Sequence, residues 1–187
     1  MTTEPKFIPN EAANITIDGN IKLKVRLVDC VGYLVEGALG HLENDVPRMV
    51  DTPWFEEKIP IGEAAEIGTK KVITEHSTIG LVVTTDGSIT DIARSEYEEA
   101  EERVITEMKN TGKPFAILLN CIDPTQEETL AIREMLGEKY GVPVLPVNCS
   151  SMSQEDINDI MQTVLYEFPI CEIGINIPSW MVSLDYN

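Results

Sequence analysis

The part of the chain that says most about its fold reads Ile21-Lys-Leu-Lys-Val-Arg-Leu-Val-Asp29-Cys-Val-Gly32. Apolar and basic residues alternate from Ile21 to Leu27, which is the period-two pattern typical of a β-strand. The strand ends at Asp29, and a glycine follows three residues later. In parallel α/β sheets, ligands bind beyond the carboxyl ends of the strands. There a carboxylate can hold hydrated Mg2+, and a glycine lets backbone N–H groups approach a phosphate. The Asp-x-x-Gly segment therefore indicates either the metal and γ-phosphate segment of a nucleoside triphosphatase or an ordinary strand-ending turn.

The composition favours one acidic domain. The chain has 187 residues, of which 43% are hydrophobic, and a formal net charge of −18. Such a chain can bury one substantial core, and its charge argues against binding nucleic acid or anionic lipid through a broad basic face. No apolar run of about 18 residues occurs, so no membrane span is predicted. The amino terminus lacks the pattern of a signal peptide, and the four cysteines show no metal-finger spacing. We therefore expect a reduced, cytoplasmic protein.

The segments on either side of this strand predict a hairpin and a long loop. Residues 1–10 contain two prolines and no periodicity, which indicates an extended loop. Residues 14–17 and 21–28 flank Asp18-Gly19-Asn20, and this pattern predicts an antiparallel hairpin. From Gly32 to about Gly62, glycines and prolines interrupt every pattern, so a long irregular connection is expected.

Strands and helices then alternate. Apolar runs at residues 79–85 and 115–119 predict strands buried on both faces, and residues 142–147, with two prolines, predict an edge strand. Ser95 and Ser153 are expected N-caps. Helices are predicted over residues 63–75, 97–110, 124–140 and 154–167, and a last strand over residues 172–177. This order predicts right-handed β-α-β units and a largely parallel sheet covered by helices.

Polar residues follow the predicted strands and are expected to meet at one edge of the sheet. They are Asp29-Cys30, Thr84–Asp86, Asn120–Asp123 and Asn148–Ser151. Asn120-Cys-Ile-Asp123 has the outline of the Asn-Lys-x-Asp box by which GTPases read guanine, with cysteine in place of lysine. Asp123 could still accept hydrogen bonds from a base. The alternative is a strand ending in asparagine, followed by an Asp-Pro turn.

Two further features bear on a nucleotide site. Thr2 and Thr3 precede the hairpin, where nucleoside triphosphatases carry a switch threonine that ligates Mg2+; a disordered terminal pair is the alternative. No Gly-x-x-x-x-Gly-Lys-Ser/Thr motif occurs, so nothing in the sequence cradles the α- and β-phosphates. Three hypotheses remain open: an ATPase, a GTP-dependent switch, and a non-catalytic interaction module in which Asp29 and Gly32 form only a turn.

Segments spread over nearly the whole chain carry a resemblance to one family. They are Thr2–Phe7, Val28–Tyr33, Arg48–Val50, Thr52–Phe55, Ala64–Gly68, His76–Gly80, Thr84–Gly87, Glu98–Arg103 and Leu165–Pro169. Through them the chain resembles the stage IV sporulation protein A family, the spore coat morphogenetic ATPases of endospore-forming bacteria. Members of that family are much longer. The resemblance therefore implies a fragment, with residues 1–168 as an N-terminally truncated NTPase domain and residues 169–187 as the start of the following middle domain.

The resemblance also implies a fold and a set of site residues. The fold is an α/β, P-loop GTPase-like (TRAFAC-type) three-layer sandwich with a mostly parallel sheet, here lacking its first strand, P-loop and first helix. The implied ligands are ATP and Mg2+. Thr2, Thr3 and Asp29 take catalytic roles, Thr3 and Asp29 hold the metal, and Gly32, Asn120 and Asp123 bind nucleotide. Asp123 departs from the family pattern, which leaves the base preference open.

The same resemblance implies a cellular role. Hydrolysis of ATP drives self-assembly into a polymer on the outer forespore surface, in the mother-cell cytoplasm, as the base layer of the spore coat. Expected partners are a small amphipathic membrane-associated spore protein and other coat proteins, without nucleic acid and without a direct membrane span. In this fold the missing strand lies between the strands at residues 21–28 and 79–84. These strands are therefore expected either to pair directly or to leave open edges, and the fragment alone is expected to be inactive.

Overall fold

The computed structural model describes residues 6–17, 19, 21–30, 32–35, 38, 42–43 and 46–168. Its strands are β1 Lys6–Ile17, β2 Ile21–Asp29, β3 Leu42–Glu43, β4 Val46–Pro47, β5 Met49–Thr52, β6 Phe55–Pro60, β7 Gly80–Thr85, β8 Phe115–Asn120 and β9 Val144–Val147. Its helices are α1 Ile61–Lys71, α2 Glu98–Thr111, α3 Glu127–Tyr140 and α4 Gln154–Tyr166. A π-helical turn, Val72–His76, continues α1, and a 3-10 turn, Arg94–Tyr97, precedes α2. The predicted strand at residues 172–177 and the segment 169–187 lie outside the described residues.

The centre of the fold is a parallel three-stranded sheet in the order β7-β8-β9. Gly80 is paired with Phe115 at the start of β7, and Thr85 with Asn120 at its end. On the other side of β8, Asn120 is opposite Val147. The predicted α/β architecture with a parallel sheet is confirmed, and β9 lies at the edge, as its two prolines indicated.

The core has one hydrophobic cluster on each face of this sheet, because successive residues of β8 point to opposite faces. Ile117 and Leu119 pack against α2 and α3 in a cluster that includes Ile105, Met108 and Leu136. Leu118 packs on the opposite face with other apolar side chains of α4, β9 and the hairpin, namely Ile17, Val147, Ile160 and Met161. Helices therefore cover both faces of the sheet.

The hairpin of β1 and β2 is antiparallel, as predicted, but longer than expected. Its ladder runs from Ile17 opposite Ile21 to Lys6 opposite Asp29. The prediction of a loop through residue 10 is therefore wrong for residues 6–10. Here pairing with β2 supplies the backbone hydrogen bonds, and an irregularity between Ile8 and Ala13 accommodates the proline.

The neighbouring edges of β2 and β7 are open. Within the described residues, β2 belongs to the two-stranded hairpin and β7 to the three-stranded sheet, and no ladder joins them. Of the two expected outcomes, direct pairing is therefore wrong and open edges are observed. Leu27 is 54% exposed and Val83 is 60% exposed. The prediction that the strand at residues 79–85 is buried on both faces is thus also wrong, because nothing in the described chain covers Val83.

The connection from Gly32 to Gly62 contains short antiparallel hairpins rather than one irregular loop. In one of them β5 pairs with β6, with Met49 opposite Pro60 and Thr52 opposite Phe55. The half-buried Trp54 lies in the turn between these strands. Most side chains of β6 are exposed, so the segment has no apolar periodicity by which a strand could be predicted.

Of the two predicted N-caps, Ser153 is confirmed and Ser95 is wrong. Gly112 and Gly141 end α2 and α3 in the left-handed region, at φ values of 66° and 65°. Ser153 forms a capping box with Asp156 at the start of α4. Ser95, in contrast, is not an N-cap, because it lies inside the 3-10 turn that leads into α2, and α2 itself starts without a side-chain cap.

Candidate functional site

A cleft of about 1130 Å³ lies where β2 and β7 face each other without pairing. Apolar side chains of both strands, among them Leu27 and Val83, form its walls. Asp29, Gly32 and Asn120 line the same cleft. Three of the predicted site residues, which are up to about ninety positions apart in the sequence, thus line one cleft.

Asp29 and Gly32 mark the end of β2. Asp29 is its last residue, and its side chain is exposed. Gly32 has a φ of +77°, a backbone conformation that L-residues with a Cβ rarely adopt. Among the described residues, apart from its chain neighbours, no heavy atom lies within 4 Å of the position that a Cβ would occupy there. The glycine is therefore required by its backbone conformation rather than by lack of space.

Asn120 ties together the loops that follow β8 and β9. Its side-chain oxygen accepts a hydrogen bond from the backbone N–H of Cys149 at 3.0 Å. In return, the side-chain nitrogen of Asn148 donates to the carbonyl oxygen of Ile122 at 3.0 Å. The two loops are held side by side at the carboxyl edge of the sheet, as the sequence predicted for the residues that end these strands.

Asp86 organises the neighbouring loop after β7. One of its carboxylate oxygens accepts from the backbone N–H and the hydroxyl of Ser88, at 2.9 and 2.6 Å, and the other accepts from the hydroxyl of Thr129 at 2.7 Å. Burial alone would raise the pKa of Asp86, but the hydrogen bonds from Ser88 and Thr129 outweigh it and lower the pKa. Asp86 is therefore a charged acceptor that fixes the loop.

Asp123 does not line the cleft. Its carboxylate accepts from the backbone N–H and the hydroxyl of Thr125, at 2.9 and 2.7 Å, and this hydrogen bonding lowers its pKa. The geometry is that of the Asp-Pro turn given as the alternative, and it explains why α3 begins at Glu127 rather than at Pro124. A role for Asp123 at a base stays a prediction.

Two cysteines lie near this edge, of which Cys121 is buried and Cys149 is exposed. Burial raises the pKa of the Cys121 thiol to about 11 and also raises that of Cys149. Within the described residues, no group of three or more His, Cys, Asp or Glu side chains could hold a metal ion.

The donor set at this cleft nevertheless fits Mg2+ bound together with a nucleotide. Mg2+ keeps several waters and is usually held by one or two carboxylates plus substrate phosphates, not by a cage of protein ligands. The exposed carboxylate of Asp29 at the cleft supplies such a ligand. Thr3, the second predicted ligand, and Thr2 lie outside the described residues.

One buried charge network at the wall of the cleft escaped the sequence analysis. Glu101 of α2 is 4% exposed and accepts from Thr84 at 2.8 Å, from the guanidinium of Arg94 at 2.7 Å and from the hydroxyl of Tyr140 at 3.3 Å. The sequence does contain a sign of this network. Glu101 is spaced by four and seven residues from Ile105 and Met108, which places a charge on the apolar face of the helix.

The described chain is thus an α/β domain whose parallel strands end at an open cleft, an arrangement consistent with an ATPase domain. Residues 1–169 match the family model described as stage IV sporulation protein A, ATPase domain. The chain belongs to this family.

Relatives that carry the name stage IV sporulation protein A match the chain along its length. The protein of Bacillus subtilis (strain 168) is 54% identical over 187 residues, and that of Clostridioides difficile (strain 630) is 57% identical over 187 residues. The protein of Bacillus anthracis is 50% identical over 185 residues, which are 99% of this chain; the other two matches cover 100% of it. The chain spans 38% of the length of each of these relatives. No solved structure matches the chain. None of the helices that the structure describes is long and apolar enough to cross a bilayer.

Proposed function

We propose that the intact protein hydrolyses ATP and that the carboxyl end of the cleft between β2 and β7, which Asp29, Gly32 and Asn120 line, is part of its nucleotide site. The observation that carries the proposal is the meeting of Asp29, Gly32 and Asn120 in one cleft at the carboxyl ends of the strands. In α/β sheets this is where ligands bind. The family name, which includes an ATPase domain, supports the same assignment.

Each residue would have a distinct part in this reaction. The Asp29 carboxylate would hold Mg2+ directly or through water, and the metal would neutralise charge on the phosphates. The backbone N–H at Gly32 would face the γ-phosphate. Asn120 would hold the loops that border the base, and Asp123 would accept from the base if it turns out of its present hydrogen bonds. Thr2 and Thr3 are proposed as the switch threonines, with Thr3 also on the metal.

We further propose that a phosphate-cradling loop outside the 187 residues completes this site. The chain has no Gly-x-x-x-x-Gly-Lys-Ser/Thr motif, and its relatives are much longer. The P-loop GTPase-like classification, in which a further strand fills the gap between β2 and β7, rests on this proposal. The apolar walls of the gap and the open edges of both strands support it. Residues 1–168 would then belong to the NTPase domain and residues 169–187 to the next domain.

The cellular part of the proposal rests on the resemblance and on the names of the relatives, which are sporulation proteins. We propose that ATP hydrolysis drives self-assembly at the outer forespore surface, in the mother-cell cytoplasm, as the base layer of the spore coat. A small amphipathic membrane-associated spore protein and other coat proteins would be the partners.

Substitution of Asp29 tests the proposed activity. In the intact protein, Asp29→Asn keeps the size of the side chain and removes the charge, so the rate of ATP hydrolysis with Mg2+ should fall at least 100-fold while the fold is retained. Asp51→Asn, at an exposed carboxylate in the β5–β6 hairpin, is the matched control and should leave the rate unchanged. Unchanged turnover in Asp29→Asn would instead favour the non-catalytic interaction module.

A further inference from the structure

The segment that follows Asp29 is held against two helices by one tyrosine. The hydroxyl of Tyr33 donates a short hydrogen bond to a carboxylate oxygen of Glu107 on α2. The guanidinium of Arg103, one turn earlier on the same helix, stacks over the Tyr33 ring with 4.5 Å between its central carbon and the ring centroid. The hydrogen bond holds the hydroxyl of Tyr33, and the guanidinium holds the face of its ring. Together they fix both the position and the orientation of the ring.

Arg103 extends this contact to α1. Two of its nitrogens donate to the two carboxylate oxygens of Glu66, at 2.7 and 2.8 Å, in the bidentate geometry that arginine favours. Tyr33, Glu107, Arg103 and Glu66 therefore form a continuous cluster, here named the Tyr33 latch. It joins the loop after β2 to both helices.

Leu34, next to Tyr33 in the loop, lies close to the backbone of α1. The methyl carbon Cδ1 of Leu34 lies 3.2 Å from the position that a Cβ at Gly62, near the start of α1, would occupy. Gly32 precedes Tyr33 and takes the left-handed conformation that turns the chain toward α2. The loop is thus anchored immediately after the residues that we assign to Mg2+ and to the γ-phosphate.

The surroundings of Tyr33 favour its hydrogen bond to Glu107. Burial and the hydrogen bond to Glu107 both raise the pKa of the Tyr33 hydroxyl far above its ordinary value. The hydroxyl therefore stays a donor throughout the range in which the protein would work. Tyr33 is half-buried, and the side chain of Glu107 is 27% exposed, so water competes with this hydrogen bond less than at an open surface.

We propose that Tyr33 is a positioning residue for nucleotide hydrolysis, and that the Tyr33 latch holds the Asp29–Gly32 segment in its working geometry from α1 and α2. The inference rests on the proposed ATPase function. It adds that α1 and α2 support the geometry of the cleft through Tyr33, because the latch joins the loop to both helices.

The test measures steady-state ATP hydrolysis in the intact protein with two latch variants. Tyr33→Phe removes only the hydroxyl and should lower kcat about tenfold while KM changes less than twofold, because the loop is misplaced and the nucleotide contacts are kept. Glu107→Ala should have a similar effect. The double variant should lose no more kcat than Glu107→Ala alone, because both substitutions remove the Tyr33–Glu107 hydrogen bond and only Glu107→Ala also removes the ion pair with Arg103 at 4.0 Å.

Glu102→Ala is the matched control. Glu102 lies on the same helix, and its ion pair with Lys139 at 3.1 Å is outside the latch. This variant should keep both kcat and KM. Additive losses in the double variant, equal losses in Glu102→Ala, or an unchanged kcat in Tyr33→Phe would each overturn the inference.

Hydrogen exchange separates failure of the inference from failure of the proposed function. Backbone amides of residues 32–35 should exchange at least fivefold faster in Tyr33→Phe than in the unsubstituted protein, whether or not ATP is hydrolysed. Absence of hydrolysis in the unsubstituted protein would refute the proposed activity and the positioning role together. Faster exchange would then still support the anchoring of the loop, and unchanged exchange would refute the anchoring as well.

Discussion

Removing the carboxylate of Glu101 should be among the most destabilising single changes in this domain. Glu101→Ala leaves the Arg94 guanidinium in the interior without its counter-ion. Two nitrogens of that group, Nε and Nη1, are already buried without a hydrogen-bond partner among the described residues. Breaking a buried ion pair by removing one partner costs about 3–5 kcal/mol.

The exposure of the two side chains decides where in this range the cost falls. The Glu101 side chain is 2% exposed and that of Arg94 is 16% exposed. Because water can partly hydrate Arg94, we expect a loss of unfolding free energy at the lower end of this range, about 3 kcal/mol. This corresponds to roughly a 100-fold rise in the equilibrium constant for unfolding. Thr84 and Tyr140 lose their acceptor in the same variant, so the cost should not fall below this value.

Hydrogen exchange at the centre of the sheet measures this effect. The amide of Ile117 donates to the carbonyl oxygen of Pro143 at 2.9 Å and should exchange only through global opening. Its exchange should be roughly 100-fold faster in Glu101→Ala. Glu102→Ala, next to it on the helix, removes only an exposed ion pair and should change exchange less than threefold.

The double variant Arg94→Met with Glu101→Leu tests whether the unpaired charge of Arg94 causes the loss of stability in Glu101→Ala. It leaves no unpaired charge and should recover most of the stability. The reasoning would be refuted if Glu101→Ala raised exchange less than tenfold, or if the double variant were as unstable as the single one.

Three smaller effects follow from the same structure. Ser153→Ala removes the capping box with Asp156 and should cost about 1 kcal/mol, seen as faster amide exchange in the first turn of α4; unchanged exchange would contradict it. Lys113→Met removes donors at 2.7 and 2.8 Å to two carbonyl oxygens of the π-helical turn Val72–His76, so amides of this turn should exchange faster. Burial raises the pKa of the Cys149 thiol, which lowers its thiolate fraction at a given pH. Its alkylation by iodoacetamide should therefore reach half-maximal rate at a higher pH than that of an unperturbed cysteine, and a midpoint at or below the unperturbed one would contradict this.

The sequence predicted those parts of the fold that local patterns specify. The continuous apolar run of β8 and the alternation of strands with helices predicted the parallel sheet, and the Asp-Gly turn predicted the β1–β2 hairpin. Glycine caps end α2 and α3, and a serine cap starts α4. These features depend on neighbouring residues, which is why a single sequence suffices to find them.

The parts that were missed depend on contacts between distant residues. The β5–β6 hairpin consists largely of exposed side chains and lacks periodicity, so its pairing could not be seen. Whether β2 and β7 pair or stay apart is decided by long-range packing. Among the site residues, the convergence of Asp29, Gly32 and Asn120 was predictable from strand order. The hydrogen bond between Tyr33 and Glu107 joins residues 74 positions apart and leaves no mark in the sequence.

Photolabelling with 8-azido-ATP in the presence of Mg2+ tests the central claim most directly. In the intact protein, labelled peptides should come from the carboxyl edge of the sheet, that is, from residues 29–35 or from the loops after Asn120 and Asn148, and excess ATP should suppress the labelling. Asp29→Asn should reduce it. Labelling confined to other segments, such as the β5–β6 hairpin, or labelling that neither ATP nor the Asp29 substitution affects, would contradict the assignment of the cleft as the nucleotide site.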